Sequence, residues 1–262
     1  MHSLLSGFSQ RSVVFFRRQH ELSSESLKEL SRMFGRLTTR PLTSGLYIYL
    51  LTHTFTGTAA KEEHLDIIRT EYDTAAVSES GPWHSDVLFE VNLADYSILQ
   101  LTELPVTGGV YDRCLKPYQE LLEKLTVTHY QANWLRLAKS QGKELHTGPR
   151  GSPANVSEKL EASHPAVRTN PVTGWKSFNE LASMMVLENH DIQIRHKWHN
   201  VGDLTIWDNR CTYHAATFDY ATIGSRSGKR VISVGEKPYL DPTSTGRREG
   251  LGKGGKEGGG LG

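Results

Sequence analysis

Cysteine is nearly absent: the 262 residues include only Cys114 and Cys211, far apart in sequence. So few thiols exclude a disulfide framework and suit a reducing compartment, which places the protein in the cytosol. Long apolar runs are missing too, since no stretch approaches the roughly eighteen residues that a membrane-spanning helix needs. Residues 1–16 lack the basic stretch and uninterrupted apolar core of a secretory signal. Charge of one sign is also lacking, with Lys+Arg 30 against Asp+Glu 29 and a formal net charge of +1. That balance gives no electrostatic footprint for nucleic acid or an acidic membrane surface. There is no internal repeat, and the length fits one domain or at most two. Hydrophobic residues make up 37% of the chain, enough for a modest core.

What is present is a series of short strand signals around a few helical ones. Residues 11–18 (RSVVFFRR) are β-branched and aromatic between charges and predict a buried strand. Leu27, Leu30 and Phe34 fall at helical spacing within 23–37, and Ser26 with Glu29 suggests a capping box there. Residues 41–57 are β-like, and 87–91 and 96–104 carry two further strand patterns closed by the turn signal at 105–109. An amphipathic helix is expected over 115–126, an exposed loop over 141–155 and a second helix over 181–189. Strand patterns return at 204–207 and 231–235. The Gly- and Lys-rich stretch 243–262 is expected to be a disordered tail, leaving 1–242 as the domain. Strands at both ends with helices between favour an antiparallel β core over a parallel α/β sheet.

Chemistry is concentrated in two places. In Trp83-His84-Ser85-Asp86, an imidazole and a carboxylate two residues apart share one face of an extended chain. With a second histidine they would complete a 2-His-1-carboxylate triad that leaves positions open for ligands. Residues 202–214 (GDLTIWDNRCTYH) place His214 just after a strand and a polar turn. Arg226 and Arg230, four apart on a strand, share a face with Cα atoms roughly 13 Å apart. One can fork onto a carboxylate and the other can meet a second anion. His190, His196 and His199 compete with His214 but read as solvent-facing or structural, as do His129, His146 and His164. His53 could line an entrance. A Cys211-x-x-His214 metal pair lacks the second pair that would support it. Trp83 and Trp207 read as packing groups, and Asn209 and Arg210 as stabilisers of the turn, with Arg210 able to pair with Asp208 or Asp86.

The order W-H-[ST]-D, then E-L-P-x-T-G-G, then G-D-[LV]-x-I-W-D-N-R-x-x-x-H, then paired arginines resembles the TauD/TfdA dioxygenases, especially the fungal taurine and sulfonate dioxygenase-like branch. The resemblance covers most of the chain, from residues 13–17 to 235–239. It implies a mainly β fold with helices, built on a double-stranded β-helix (jelly-roll) core that here lacks some segments. It implies Fe(II) and 2-oxoglutarate as cofactors, with His84, Asp86 and His214 as iron ligands. Arg226 matches the arginine that binds the distal carboxylate of 2-oxoglutarate. Arg230 matches an arginine beside the cofactor that can meet an acidic substrate group. The implied partners are O2 and a small anionic substrate such as a sulfonate, without nucleic acid or membrane, and homo-oligomerisation is left open. A zinc hydrolase using the same triad is a distant alternative that the paired arginines disfavour.

Three departures from the family pattern shape the expectation. Gly108-Gly109 continues as Val110-Tyr111-Asp112-Arg113 where the family carries a threonine that touches 2-oxoglutarate. Tyr49 stands where sulfonate dioxygenases carry a substrate histidine, and it can donate a hydrogen bond but no positive charge. Residues 170–177 run directly into Phe178 where relatives continue into a helical lid, and an edge element ahead of the first strand is expected to be absent. These losses suggest a shortened isoform or a gene model lacking exons. The alternative to an active oxygenase is therefore a jelly roll that binds metal without turnover.

Overall fold

The computed structural model describes residues 8–37, 66–70, 84–101, 120–131, 135–136, 139, 149–178, 198–214 and 226–254. Lying wholly within them are strands β1 (Val13–Phe16), β2 (Arg36–Leu37), β3 (Asp66–Thr70), β4 (Ala94–Leu101), β5 (Thr126–Tyr130), β6 (Glu161–Pro165), β7 (Val167–Thr169), β8 (Lys176–Phe178), β9 (Leu204–Asp208) and β10 (Arg226–Val234). The helices lying wholly within the described residues are α1 (Ser24–Phe34) and α2 (Arg247–Gly254).

The main sheet has six strands in the order β1-β9-β4-β10-β2, with β3 also paired to β10. Every strand pairing among the described residues is antiparallel, as the strand patterns predicted. The architecture is mainly β with few helices.

Register gives the sheet two different faces. One carries Tyr96, Ile98, Leu204, Ile206 and Val231, which form a core with Phe8 and with Leu27 of α1, while Val14, Phe16, Leu30 and Phe34 pack against it. The opposite face carries Ser97, Leu99, Thr205, Trp207 and Arg230. There Ser97 lies beside Trp207 of β9 and Ile232 of β10, and Leu99 lies beside Thr205 and Arg230. Alternation along each strand thus turns apolar residues to the helix and sets Ser97, Thr205 and Arg230 among Leu99, Trp207 and Ile232 on the other side. Arg230 belongs to that second face, and Arg226 opens the same strand.

Several expectations change in detail. The N-cap of α1 is Ser23, whose hydroxyl accepts from the Ser26 backbone N–H at 3.1 Å, so the helix begins ahead of the Ser26 capping box. The strand predicted at 87–91 is a run of turns. Val87 has φ +53, and the Glu90 N–H donates to the Val87 carbonyl at 3.1 Å. This is a costly backbone for a β-branched residue, and it sits directly after Asp86. Of the helix expected at 115–126, residues 120–122 are helical, and Thr126 already opens β5.

The loop expected to be exposed at 141–155 is anchored at its end. Asn155 is buried, its Oδ1 accepting from the Asn92 backbone N–H and its Nδ2 donating to the Asn92 carbonyl. Arg150 forks onto Glu90. His129 and His164 lie on paired strands β5 and β6, and both are buried, so the solvent-facing reading does not apply to them. Within the segment expected to be a disordered tail, α2 is helical, with the Arg247 guanidinium 5.8 Å from the Trp175 ring centre. Residues 41–57 and 181–189 lie outside the described residues. No described helix is long and apolar enough to cross a membrane.

Candidate metal centre

The two triad histidines are held by the backbone itself. His84 and His214 form an isolated antiparallel bridge in which the His84 N–H donates to the His214 carbonyl at 3.0 Å and the reverse bond is 2.8 Å. Their rings are consequently side by side, with centroids 4.3 Å apart. Trp207 packs on His214 with centroids 4.9 Å apart. Two residues after His84, Asp86 turns its carboxylate into the same space, and the three potential ligand atoms lie within 4.8 Å of one another. His214 Nε2 is 4.0 Å from Asp86 Oδ1. The H-x-D pair and the histidine 128 positions beyond it, read from sequence as one triad, are therefore brought together.

Asp86 is 1% exposed, so its charge has to be compensated locally. Oδ1 accepts from Arg230 Nη1 at 2.9 Å, and Oδ2 accepts from the Ser97 hydroxyl at 2.5 Å. Burial by itself would raise this carboxyl. Arg230, His214, His84 and Ser97 outweigh it and hold the group well below the usual carboxylate range. Asp86 is thus a carboxylate throughout the physiological range.

Residues 207–210 (WDNR) organise the opposite side of the site. Asn209 Oδ1 accepts from Trp207 Nε1 at 2.9 Å and from the Asp86 backbone N–H at 3.3 Å, and Nδ2 donates to Ser97 at 2.8 Å. The Ser85 hydroxyl donates to the Asn209 carbonyl at 2.9 Å. Asp208 and Arg210 form a buried fork, Nε to Oδ1 at 2.7 Å and Nη2 to Oδ2 at 3.0 Å. Of the two pairings considered for Arg210, this is the one observed, and the guanidinium also stacks 4.5 Å from the Tyr96 ring centre. Ser9 and Asn170 donate to Asp208 Oδ2 at 2.5 and 3.0 Å.

Sequence reasoning missed Ser97, Ser85 and the Asn209 hub. The available signal for Ser97 was a small polar residue inside the apolar run of β4. Cys211 is half-buried with its thiol pushed up to about 12 by burial and by Asp208, and it lies 3.6 Å from the Ser12 hydroxyl. His199 uses its backbone N–H on Asp203 at 3.1 Å. Arg226 lies on β10. Tyr49, His53, Trp83, His146, His190 and His196 lie outside the described residues.

Two imidazoles and one carboxylate converging beside an antiparallel sheet have the donor set of a mononuclear non-haem Fe(II) oxygenase. The chain belongs to the Taurine catabolism dioxygenase TauD, TfdA family, whose model matches residues 1–186 and 178–232. It is 39% identical to the alpha-ketoglutarate-dependent dioxygenase btcD of Neocamarosporium betae, over 92% of this chain and 83% of the relative. It is 27% identical to the alpha-ketoglutarate-dependent sulfonate dioxygenase of Saccharomyces cerevisiae, over 89% of this chain and 60% of that relative. A putative alpha-ketoglutarate-dependent taurine dioxygenase from Burkholderia xenovorans has a similar fold, with TM-score 0.61 and 22% identity over 93% of this chain and 82% of that one. Membership makes the chain a 2-oxoglutarate-dependent dioxygenase, an oxidoreductase whose family cofactors are Fe(II) and 2-oxoglutarate.

The first of these alignments runs over 288 positions, more than the 262 residues of the chain. Relatives therefore have residues between matched segments that this chain lacks. The two pieces of the family match meet at 178–186, next to the place where a lid segment was expected to be missing.

Proposed function

We propose that the chain oxidises a small anionic organic substrate on a jelly-roll core, with His84, Asp86 and His214 holding Fe(II). The carrying observation is the convergence of those three side chains around a carboxylate that Arg230 already neutralises in part. Two nitrogen donors and one charged oxygen donor suit Fe(II) and leave positions open for further ligands. Bound there, Fe(II) and 2-oxoglutarate couple O2 reduction and decarboxylation to succinate and CO2 to oxidation of a substrate C–H bond.

The chain's own residues supply position and charge. His84 and His214 are set by their shared bridge, and Trp207 limits rotation of His214. Arg226 anchors the distal carboxylate of 2-oxoglutarate from β10. Arg230, four positions further along β10, meets an anionic group of cofactor or substrate. Sulfonates are the leading substrate class, in line with the printed activity of the Saccharomyces cerevisiae relative. Tyr49 would contribute a hydrogen bond there in place of a histidine's charge. The reaction is assigned to the cytosol, consistent with the scarcity of cysteine.

A panel of sulfonates and carboxylates tests this reading, following succinate and sulfite. Substrate-stimulated succinate well above a His84→Ala control supports an oxygenase, and sulfite release identifies a sulfonate. Succinate stimulated by carboxylates alone moves the substrate to another anion class. A second reading, metal binding without turnover, is favoured by the alignment that exceeds the chain's own length. Any substrate-stimulated succinate above the His84→Ala control removes it.

A further inference from the structure

The Asn209 side chain has only one orientation that satisfies its neighbours. Trp207 Nε1 and the Asp86 backbone nitrogen are donors with no acceptor capacity, and both point at the same amide atom, 2.9 and 3.3 Å away. That atom must be the oxygen. The amide nitrogen then faces Ser97 Oγ at 2.8 Å and occupies it as an acceptor. The single Ser97 proton is thereby directed to Asp86 Oδ2, 2.5 Å away. A one-way chain of donors runs from Trp207 through Asn209 and Ser97 to the carboxylate. Ser97 is 0% and Asn209 6% exposed, so water is a poor competitor for these bonds.

From this chain we infer that Ser97, aligned by Asn209, is a positioning residue that holds Asp86 Oδ2 and leaves Oδ1 as the carboxylate donor to the metal. The inference rests on the ligand assignment proposed above. Oδ1 is the oxygen that faces His214 Nε2, at 4.0 Å, and beside the bond it accepts from Arg230 Nη1 at 2.9 Å it keeps a second lone pair for a metal on the histidine side. A carboxylate held in this way takes one coordination position. Without the Ser97 bond, the carboxylate can turn so that Oδ2 would also reach the metal and take a position that 2-oxoglutarate or O2 needs. Asn209 also accepts from the Ser85 hydroxyl through its backbone carbonyl and from the Asp86 backbone N–H through its side chain, so one residue joins the two sequence segments that supply the triad. Hydrogen bonds to metal-binding carboxylates commonly tune affinity by about 10–100-fold.

Cobalt(II) in place of iron provides the test, because its visible absorption reports coordination number independently of turnover. Ser97→Ala should bind cobalt about tenfold more weakly and with a weaker, shifted visible band. Ser97→Thr, which keeps the hydroxyl on a β-branched residue suited to a strand, should restore the wild-type band. A folded Ser97→Ala protein with the wild-type spectrum and affinity overturns the inference. Asn209→Ala gives an independent reading if Ser97→Ala does not fold: a shifted band supports the inference and an unchanged one overturns it. His84→Ala separates the two levels of the argument. If it binds cobalt as well as the wild type, the triad assignment itself fails; if it loses cobalt while the folded Ser97 and Asn209 variants keep the wild-type affinity and band, the triad stands and positioning alone fails.

Discussion

The Asp86 carboxylate and the Arg230 guanidinium meet at 2.9 Å although 144 residues separate them in sequence. Both are nearly inaccessible, at 1% and 3% exposure. Removing one partner of such a pair strands the other in a poorly solvated place. Arg230→Ala should therefore cost about 3–5 kcal/mol of stability in the metal-free protein. Adding Asp86→Ala to Arg230→Ala should cost much less than Asp86→Ala costs alone. Denaturant unfolding of the two single variants and the double variant checks this, and additive losses would refute the coupling.

Asp95 and His164 should pull the stability of the fold in opposite directions with pH. Burial raises the Asp95 carboxyl to about 6, with Asp208 adding to it. Burial lowers the His164 imidazole to about 4, helped by His129. The Asp95 contribution favours the fold below the ordinary value of 3.8 and is lost as pH rises to about 6. The His164 contribution is lost in the other direction, as pH falls from 6.5 to about 4. Each spans on the order of 3 kcal/mol, so between pH 4 and 6 they largely cancel. Asp95→Asn should become less stable on acidification through that window, and His164→Gln more stable. Unfolding curves collected across the window test the signs, and equal slopes in the two variants would contradict the account.

Gly202 introduces β9 with φ +83, and a Cβ there would lie 2.7 Å from the His20 backbone nitrogen. The contact is to backbone, which cannot rotate away, and the conformation itself disfavours a side chain. Gly202→Ala should lose at least about 1–3 kcal/mol. A change within about 0.5 kcal/mol of wild type, typical of neutral surface positions, would mean that the loop is not held as described.

Arg210→Met would leave Asp208 buried without its fork. The loss should reach about 3–5 kcal/mol, and because the turn leads into His214, metal affinity should fall with it. Full cobalt affinity in a folded Arg210→Met protein would show that the turn does not position His214.

What could be read from sequence was local or strongly patterned. The β-branched and aromatic run at 11–18 contains β1, and Leu204 and Ile206 mark β9 because both strands bury alternate side chains against α1. His84, Asp86 and His214 were legible because the H-x-D pair and the histidine after the WDNR turn follow a known order. Three other features were not. The strand predicted at 87–91 is a turn because the backbone changes direction immediately after Asp86, and apolar alternation carries no information about Val87 at positive φ. Ser97 meets Asn209 across 112 residues through the β4–β9 register, which no local pattern encodes. The Glu90–Arg150 fork likewise spans 60 residues and draws into the fold a loop whose composition reads as exposed.

The central claim is that His84, Asp86 and His214 hold Fe(II) in a pocket that also takes 2-oxoglutarate on Arg226. Anaerobic titration of the purified protein with Fe(II) and 2-oxoglutarate, watching for the weak visible metal-to-ligand charge-transfer band, tests it most directly. The account predicts a band that saturates with 2-oxoglutarate and disappears in both His84→Ala and Arg226→Ala. Iron that binds without the band, or a band that survives His84→Ala, would contradict it.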